Sequence, residues 1–217
     1  MKDSYHTITA KSIGEFKDRG SKFIAYAYPA NSDEQWQTAL LEVKKEHPKA
    51  RHHCYAFRIG MDKNHFRAND DGEPSGTAGR PILGQIDSFG LTDLVVIVVR
   101  YFGGTLLGAS GLINAYRLSA RDALSQATIV ERFLENRFKI TFDYAQMGEL
   151  MNAVKKLELN ILEQFFEDTA YLVIGIRKSA TEAALNRLKA LLAKVSLEEA
   201  QEMEWEAIEG IEIEDLG

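Results

Sequence analysis

A single cysteine, Cys54, is all the thiol chemistry this chain holds in 217 residues. No intrachain disulfide can form. That excludes a disulfide-stapled secreted domain and points to a reducing, cytoplasmic compartment. Long apolar runs are missing too. The longest, residues 94–99, falls far short of the roughly 20 residues a bilayer-spanning helix requires. The first residues, Met1 to His6, carry no apolar signal region, so neither export nor a membrane is expected. Low-complexity tracts and short-period repeats are absent, which excludes solenoids and linker-rich architectures. There is no Gly-Lys-Ser/Thr phosphate loop and no Gly-x-Gly-x-x-Gly fingerprint. The last twenty residues hold nine acids and no base, which argues against indiscriminate coating of nucleic acid.

What is present is an ordinary globular composition, 45% hydrophobic and 27% charged, with length for one large domain or two small ones. The net charge of -6 is unevenly spread. Residues 1–131 hold 16 Lys+Arg against 15 Asp+Glu, whereas residues 132–217 hold 10 against 17. All five histidines lie in the first part. An anionic partner would therefore meet that part.

Hydrophobic periodicity restarts near residue 132, giving domains 1–131 and 132–217. Residues 5–13 and 22–28 read as strands. Asn31-Ser32-Asp33 offers a cap to a helix on which Trp36, Ala39, Leu40 and Val43 share a face. Residues 54–59 form a strand, 60–64 a turn, and 65–68 the hairpin partner. Thr77 is read as the cap of a short helix with Ile82, Leu83, Ile86 and Phe89 on one face. Residues 94–99 show no alternation, which predicts a strand buried on both faces. The helix over 112–127 is read with Leu112, Ile113, Tyr116, Ala120, Ala123, Leu124 and Ala127 inward. Beyond 132, strands at 137–144, 161–166, 170–176 and 205–213 are interleaved with helices around 147–157 and 184–195. That β-α-β-β-α-β order is the split βαβ of ferredoxin-like domains, and the fold class is α+β.

Three constellations carry chemistry. The first follows the buried strand, where Arg100-Tyr101-Phe102-Gly103-Gly104-Thr105 leads into a helix. Free backbone N–H groups and a charged fork at Arg100 suit phosphate or carboxylate, while the bland reading makes the glycines packing devices. The second is the acidic turn Asp70-Asp71-Gly72-Glu73-Pro74-Ser75-Gly76-Thr77. It suits a hard cation, a raised-pKa acid or a partner contact; the bland reading is a pair of turns with acids accepting from backbone N–H groups. The third is Arg51-His52-His53-Cys54-Tyr55. On a strand His52 and His53 point to opposite faces, and no second cysteine exists, so a closed zinc site is disfavoured. A Cys–His nucleophile lacks a third group.

These residues resemble the IMPACT family. Four segments match in order: Gly20-Ser21-Lys22-Phe23-Ile24-Ala25, then residues 47–56 (His-Pro-Lys-Ala-Arg-His-His-Cys-Tyr-Ala), then residues 70–79 around Asp71, Glu73 and Thr77, then residues 98–108 with Gly111-Leu112 and Ala115-Tyr116. The resemblance implies a first domain with the fold of elongation factor G domain IV and of a small-subunit ribosomal protein domain, an α/β sandwich. It implies a second domain similar to elongation factor G domain V. Contact with RNA, the ribosome or a translation-linked protein is then implied.

The resulting expectation is a non-enzymatic binding protein with no cofactor and no metal. Lys22, Arg51, His53 and Arg100 meet an anion; Tyr101 or Phe102 supplies an aromatic contact; the backbone at Gly103 and Gly104 comes close to the ligand; Asp71 and Glu73 orient the cations or pair with them; Thr77 counts among the binding residues. The alternative is a hydrolase or transferase of small molecules or phosphoesters using Asp71 or Glu73 with His53.

Overall fold

The computed structural model describes residues 3–62, 64–167 and 169–217. Two compact units emerge: Tyr5–Arg132, and Phe133–Gly217 together with Asp3 and Ser4. Both are mixed α and β, so the chain is a two-domain α+β protein. Among the described residues no helix is long and apolar enough to cross a membrane.

The first unit runs β1 (Ser4–Ile8), β2 (Ser12–Asp18), β3 (Ser21–Pro29), α1 (Asp33–Glu46), β4 (His52–Ile59), β5 (His65–Asn69), α2 (Gly79–Ser88), β6 (Leu94–Tyr101), α3 (Gly108–Ser125) and β7 (Ile129–Phe133). Five of the strands form an antiparallel sheet in the order β2-β3-β6-β4-β5. β6 lies at its centre, and every residue from Leu94 to Val99 is fully buried, as the unbroken apolar run predicts. Alternate residues feed two cores. Val96 and Val98 join Ala25, Ala56, Ile82, Ile86, Leu112 and Tyr116 on the α2/α3 side. Val95, Ile97 and Val99 join Trp36, Val43, Tyr55 and Phe57 on the α1 side. Ser32 caps α1 as expected, its hydroxyl accepting from the Gln35 N–H.

Several expectations need correction. The single strand over 5–13 is two strands serving different sheets: β1 pairs with β7, and β2 pairs with β3. The segment between them must bend to leave one ladder and join the other. β2 and β3 meet at a two-residue turn in which Arg19 and Gly20 have φ of 44° and 78°, the mirror-image geometry that matches strand twist. α3 starts at Gly108, a turn before Leu112, and Ile113 is 41% exposed while Ala115 takes the inward place. At 100° per residue, position 113 lies at the edge of the stripe, beside 120 and 124, and in the first turns of the helix that edge is left open. Of the turn read over 60–64, Lys63 lies outside the described residues.

The second unit runs β8 (Glu135–Phe142), α4 (Met147–Lys156), β9 (Asn160–Phe166), β10 (Ala170–Arg177), α5 (Thr181–Ala193), α6 (Leu197–Glu202) and β11 (Ile211–Asp215). Its antiparallel sheet has the order β11-β8-β10-β9, with β8 and β10 central, which is the split βαβ arrangement. Ile140, Leu150, Leu172, Ile174 and Leu188 form its core. The strand expected over 205–213 is shorter: Trp205–Ala207 is a 3-10 turn and pairing begins only at Ile211, after Gly210 with φ of 73°. α6 went unpredicted, although Ser196 and Glu199 form a full capping box.

Candidate functional site

β6 delivers Arg100 to the end of the α2/α3 side of the sheet. In register it stands between Phe23 on β3 and His52 on β4, so the three side chains share one face. The guanidinium lies 5.6 Å from the ring centres of both Phe23 and Phe102. Arg100 is only 7% exposed, so its charge needs a partner. Glu73 supplies it: Nη1 donates to both carboxylate oxygens, at 2.7 and 3.0 Å. Glu73 is itself 8% exposed and also accepts from the Tyr116 hydroxyl at 2.8 Å. The Cys54 thiol sits 3.3 Å from that hydroxyl and donates to the Asp70 carbonyl at 2.9 Å.

The acidic turn places Glu73. Asp70 is its organiser, accepting from the backbone N–H groups of Gly76, Ala78 and Gly79. Burial pushes the Asp70 carboxyl up, but those three bonds outweigh it and hold the group below its usual value. Asp70, not Thr77, therefore caps α2. The Thr77 hydroxyl donates to the Pro74 carbonyl at 2.6 Å, and the residue preceding α2 has no side-chain cap of its own. Thr77 cannot cap because its oxygen is already turned back into the loop. Asp71, at φ of 43°, staples the turn to β4: its carboxylate accepts from the His53 N–H at 2.7 Å and its carbonyl lies 2.8 Å from His52 Nδ1.

Arg100 lies at the floor of a cleft of about 630 Å³. Lys49, Arg51 and His52 line one part of it, and Tyr101, Phe102 and Leu106 another. None of the lining residues is acidic. Phe102 is 57% exposed and Leu106 82%, so two large apolar side chains flank a cationic floor. The Tyr101 hydroxyl is held by His47 Nδ1 at 2.8 Å, and His47 Nε2 lies 2.6 Å from the Tyr26 hydroxyl.

Of the residues chosen from sequence, Arg51, Arg100 and Tyr101 meet in this cleft. His53 does not. It is 7% exposed, and its Nε2 lies 3.2 Å from the His47 carbonyl. Burial holds its imidazole below the usual value. Strand alternation puts His52, not His53, beside Arg100. Lys22 pairs with Glu15 at 2.6 Å on the neighbouring strand. Gly103 comes close to Gly20, not to a ligand: a Cβ there would sit inside the backbone of Gly20 and Ser21. Gly104, at φ of 89°, has open space around it. Phe102, the alternative to Tyr101 as the aromatic contact, lines the cleft too, while Lys49, His52 and Leu106 were missed. The usable signal was the cluster of apolar loop residues next to lone cations.

The alternative catalytic set is brought together only in part. Glu73 is locked between Arg100 and Tyr116, whereas His53 Nδ1 lies 3.9 Å from the Asp71 carboxylate, which also accepts from the His53 backbone N–H. Burial pushes the Cys54 thiol well above its ordinary value, which favours the neutral thiol. Among the described residues no group of three or more His, Cys, Asp or Glu is placed to hold a metal ion.

Comparison with known proteins agrees with the four signature segments. The Impact N-terminal domain model matches residues 19–124. An IMPACT family member of Haemophilus influenzae is 35% identical over 185 residues, covering 83% of this chain and 90% of that protein. IMPACT family member YvyE of Bacillus subtilis is 33% identical over 183 residues, covering 84% of each. A solved structure described as the crystal structure of an hypothetical protein has a TM-score of 0.68 at 28% identity, covering 90% of this chain and 96% of that one. The chain belongs to the IMPACT family.

Proposed function

We propose that this protein is a non-enzymatic binding protein of translation that holds RNA through the Arg100 cleft. The observation that carries the reading is the lining of that cleft: a buried arginine, fixed by Glu73, shares it with Lys49 and Arg51, and no lining residue is an acid. A fixed fork of that kind suits phosphate. The split βαβ order of the second unit supports the placement in translation, since the family resemblance pairs it with elongation factor G domain V. In this account Arg51, Lys49 and Arg100 contact the anion and Tyr101 borders it. Asp71, Glu73 and Thr77 build the frame, and Gly103 seats the loop.

Co-sedimentation with ribosomes tests this. The protein pellets with ribosomes at low salt and is released as salt rises, and Lys49→Ala/Arg51→Ala makes the salt dependence shallower by about two phosphate contacts. A protein that stays in the supernatant at low salt, or a double variant that behaves as wild type, refutes the assignment. Both substituted side chains are exposed or nearly so, which keeps folding out of the comparison.

A further inference from the structure

The geometry points to a single-stranded nucleic acid as the occupant of the cleft, with one phosphate on the free Nη2 of Arg100 and an adjacent base on Phe102. This deepens the RNA reading above and rests on it.

The first support is the unused capacity of the guanidinium. Nη1 alone serves Glu73. Nε is buried and has no hydrogen-bond partner among the described residues. A buried donor left unpaired is costly and calls for an explanation. Nε is sealed from solvent, whereas Nη2 makes no hydrogen bond among the described residues and is the nitrogen a phosphate oxygen can reach. With Nη1 committed to Glu73 and Nε sealed, Nη2 is what Arg100 has to offer at the cleft it lines.

The second support is depth. Arg100 is recessed beneath Phe102 and Leu106, which stand out into solvent. Duplex phosphates lie on the outside of a stiff cylinder and meet protein surfaces edge on. They cannot descend past two projecting side chains without unpairing. A single strand bends, and its phosphate reaches the floor.

The third support is the lip itself. Phe102 has one ring face directed towards Arg100 and more than half its surface open. An open aromatic face beside a phosphate-binding cation is the platform on which single-strand binders stack bases, without much regard to sequence. An acidic peptide would satisfy the cations but leave Phe102 and Leu106 unused.

Fluorescence anisotropy separates the possibilities. The probes are a short oligouridine and an RNA duplex of the same length, each at low salt, titrated with wild type, Phe102→Ala and Leu106→Ala. The single strand binds at least tenfold tighter than the duplex, and Phe102→Ala weakens it roughly tenfold or more. Leu106→Ala leaves thermal unfolding unchanged and narrows the preference over duplex. Equal binding of duplex, or no effect of Phe102→Ala, overturns this inference and leaves the RNA reading standing. Failure of both RNAs to bind, with an acidic peptide binding in their place, removes both.

Discussion

Glu73→Ala is expected to cost about 3–5 kcal/mol of folding stability, the largest effect of any single substitution near the cleft. The reason is the buried charge it abandons. Arg100 is shut from water over most of its surface, and among the described residues Glu73 is its one carboxylate partner. Removing the carboxylate also leaves the Tyr116 hydroxyl without its acceptor. Glu73→Gln keeps an acceptor and most of the volume, and its loss falls to about 1.5–3 kcal/mol, the range of a charge-assisted hydrogen bond. Replacing both partners, with Glu73→Leu and Arg100→Met together, returns stability to within about 1–2 kcal/mol of wild type, because no charge remains to be desolvated. The double variant would fold yet bind no RNA. Urea unfolding of the four proteins reads the cycle. A Glu73→Ala loss under about 1 kcal/mol would show that water entering the cleft solvates Arg100 adequately, and that the pair is not what fixes it.

Gly103→Ala ranks next, at about 3 kcal/mol, the top of the range for overpacking. The neighbour that a methyl group would meet is backbone: Gly20 and Ser21 in the β2–β3 turn. Backbone cannot rotate aside as a side chain can, so the β6–α3 loop or the hairpin must shift. The Ser21 hydroxyl, which accepts from the Gly103 N–H at 3.2 Å, would be displaced too. Gly104→Ala is the control. Its positive φ costs about 1–2 kcal/mol, but the space around it is empty. Thermal unfolding should therefore rank Gly103→Ala well below Gly104→Ala. The reverse order would mean that backbone conformation, not the close approach to Gly20, governs this loop.

How much of this was legible in the sequence depends on whether a residue's role is local. The apolar run 94–99 could only be a doubly buried strand, because alternation is what a half-exposed strand requires. The split βαβ order likewise follows from element order. β2 escaped because Ser12–Asp18 alternates weakly and ends in charges, so its partner, not its own composition, makes it a strand. The site was harder. Arg100 and Glu73 were both visible as unusual residues in turns, yet 27 positions separate them, and no spacing rule says that they pair. His53 was chosen over His52, and strand phase decides which of the two lines the cleft. His52 lies in register with Arg100, and that is known only once β4 is set against β6. Thr77 looked like a cap by its type and position. Asp70 won because two oxygens accept three N–H groups, which one hydroxyl cannot do.

Ultraviolet crosslinking of the intact protein to bound RNA, with the attachment sites mapped by mass spectrometry, tests the central claim most directly. The account predicts crosslinks at Phe102 and Tyr101, in the loop that borders Arg100. Crosslinks confined to the groove beside Arg117 and Arg121 on α3, or to residues 133–217, would contradict it.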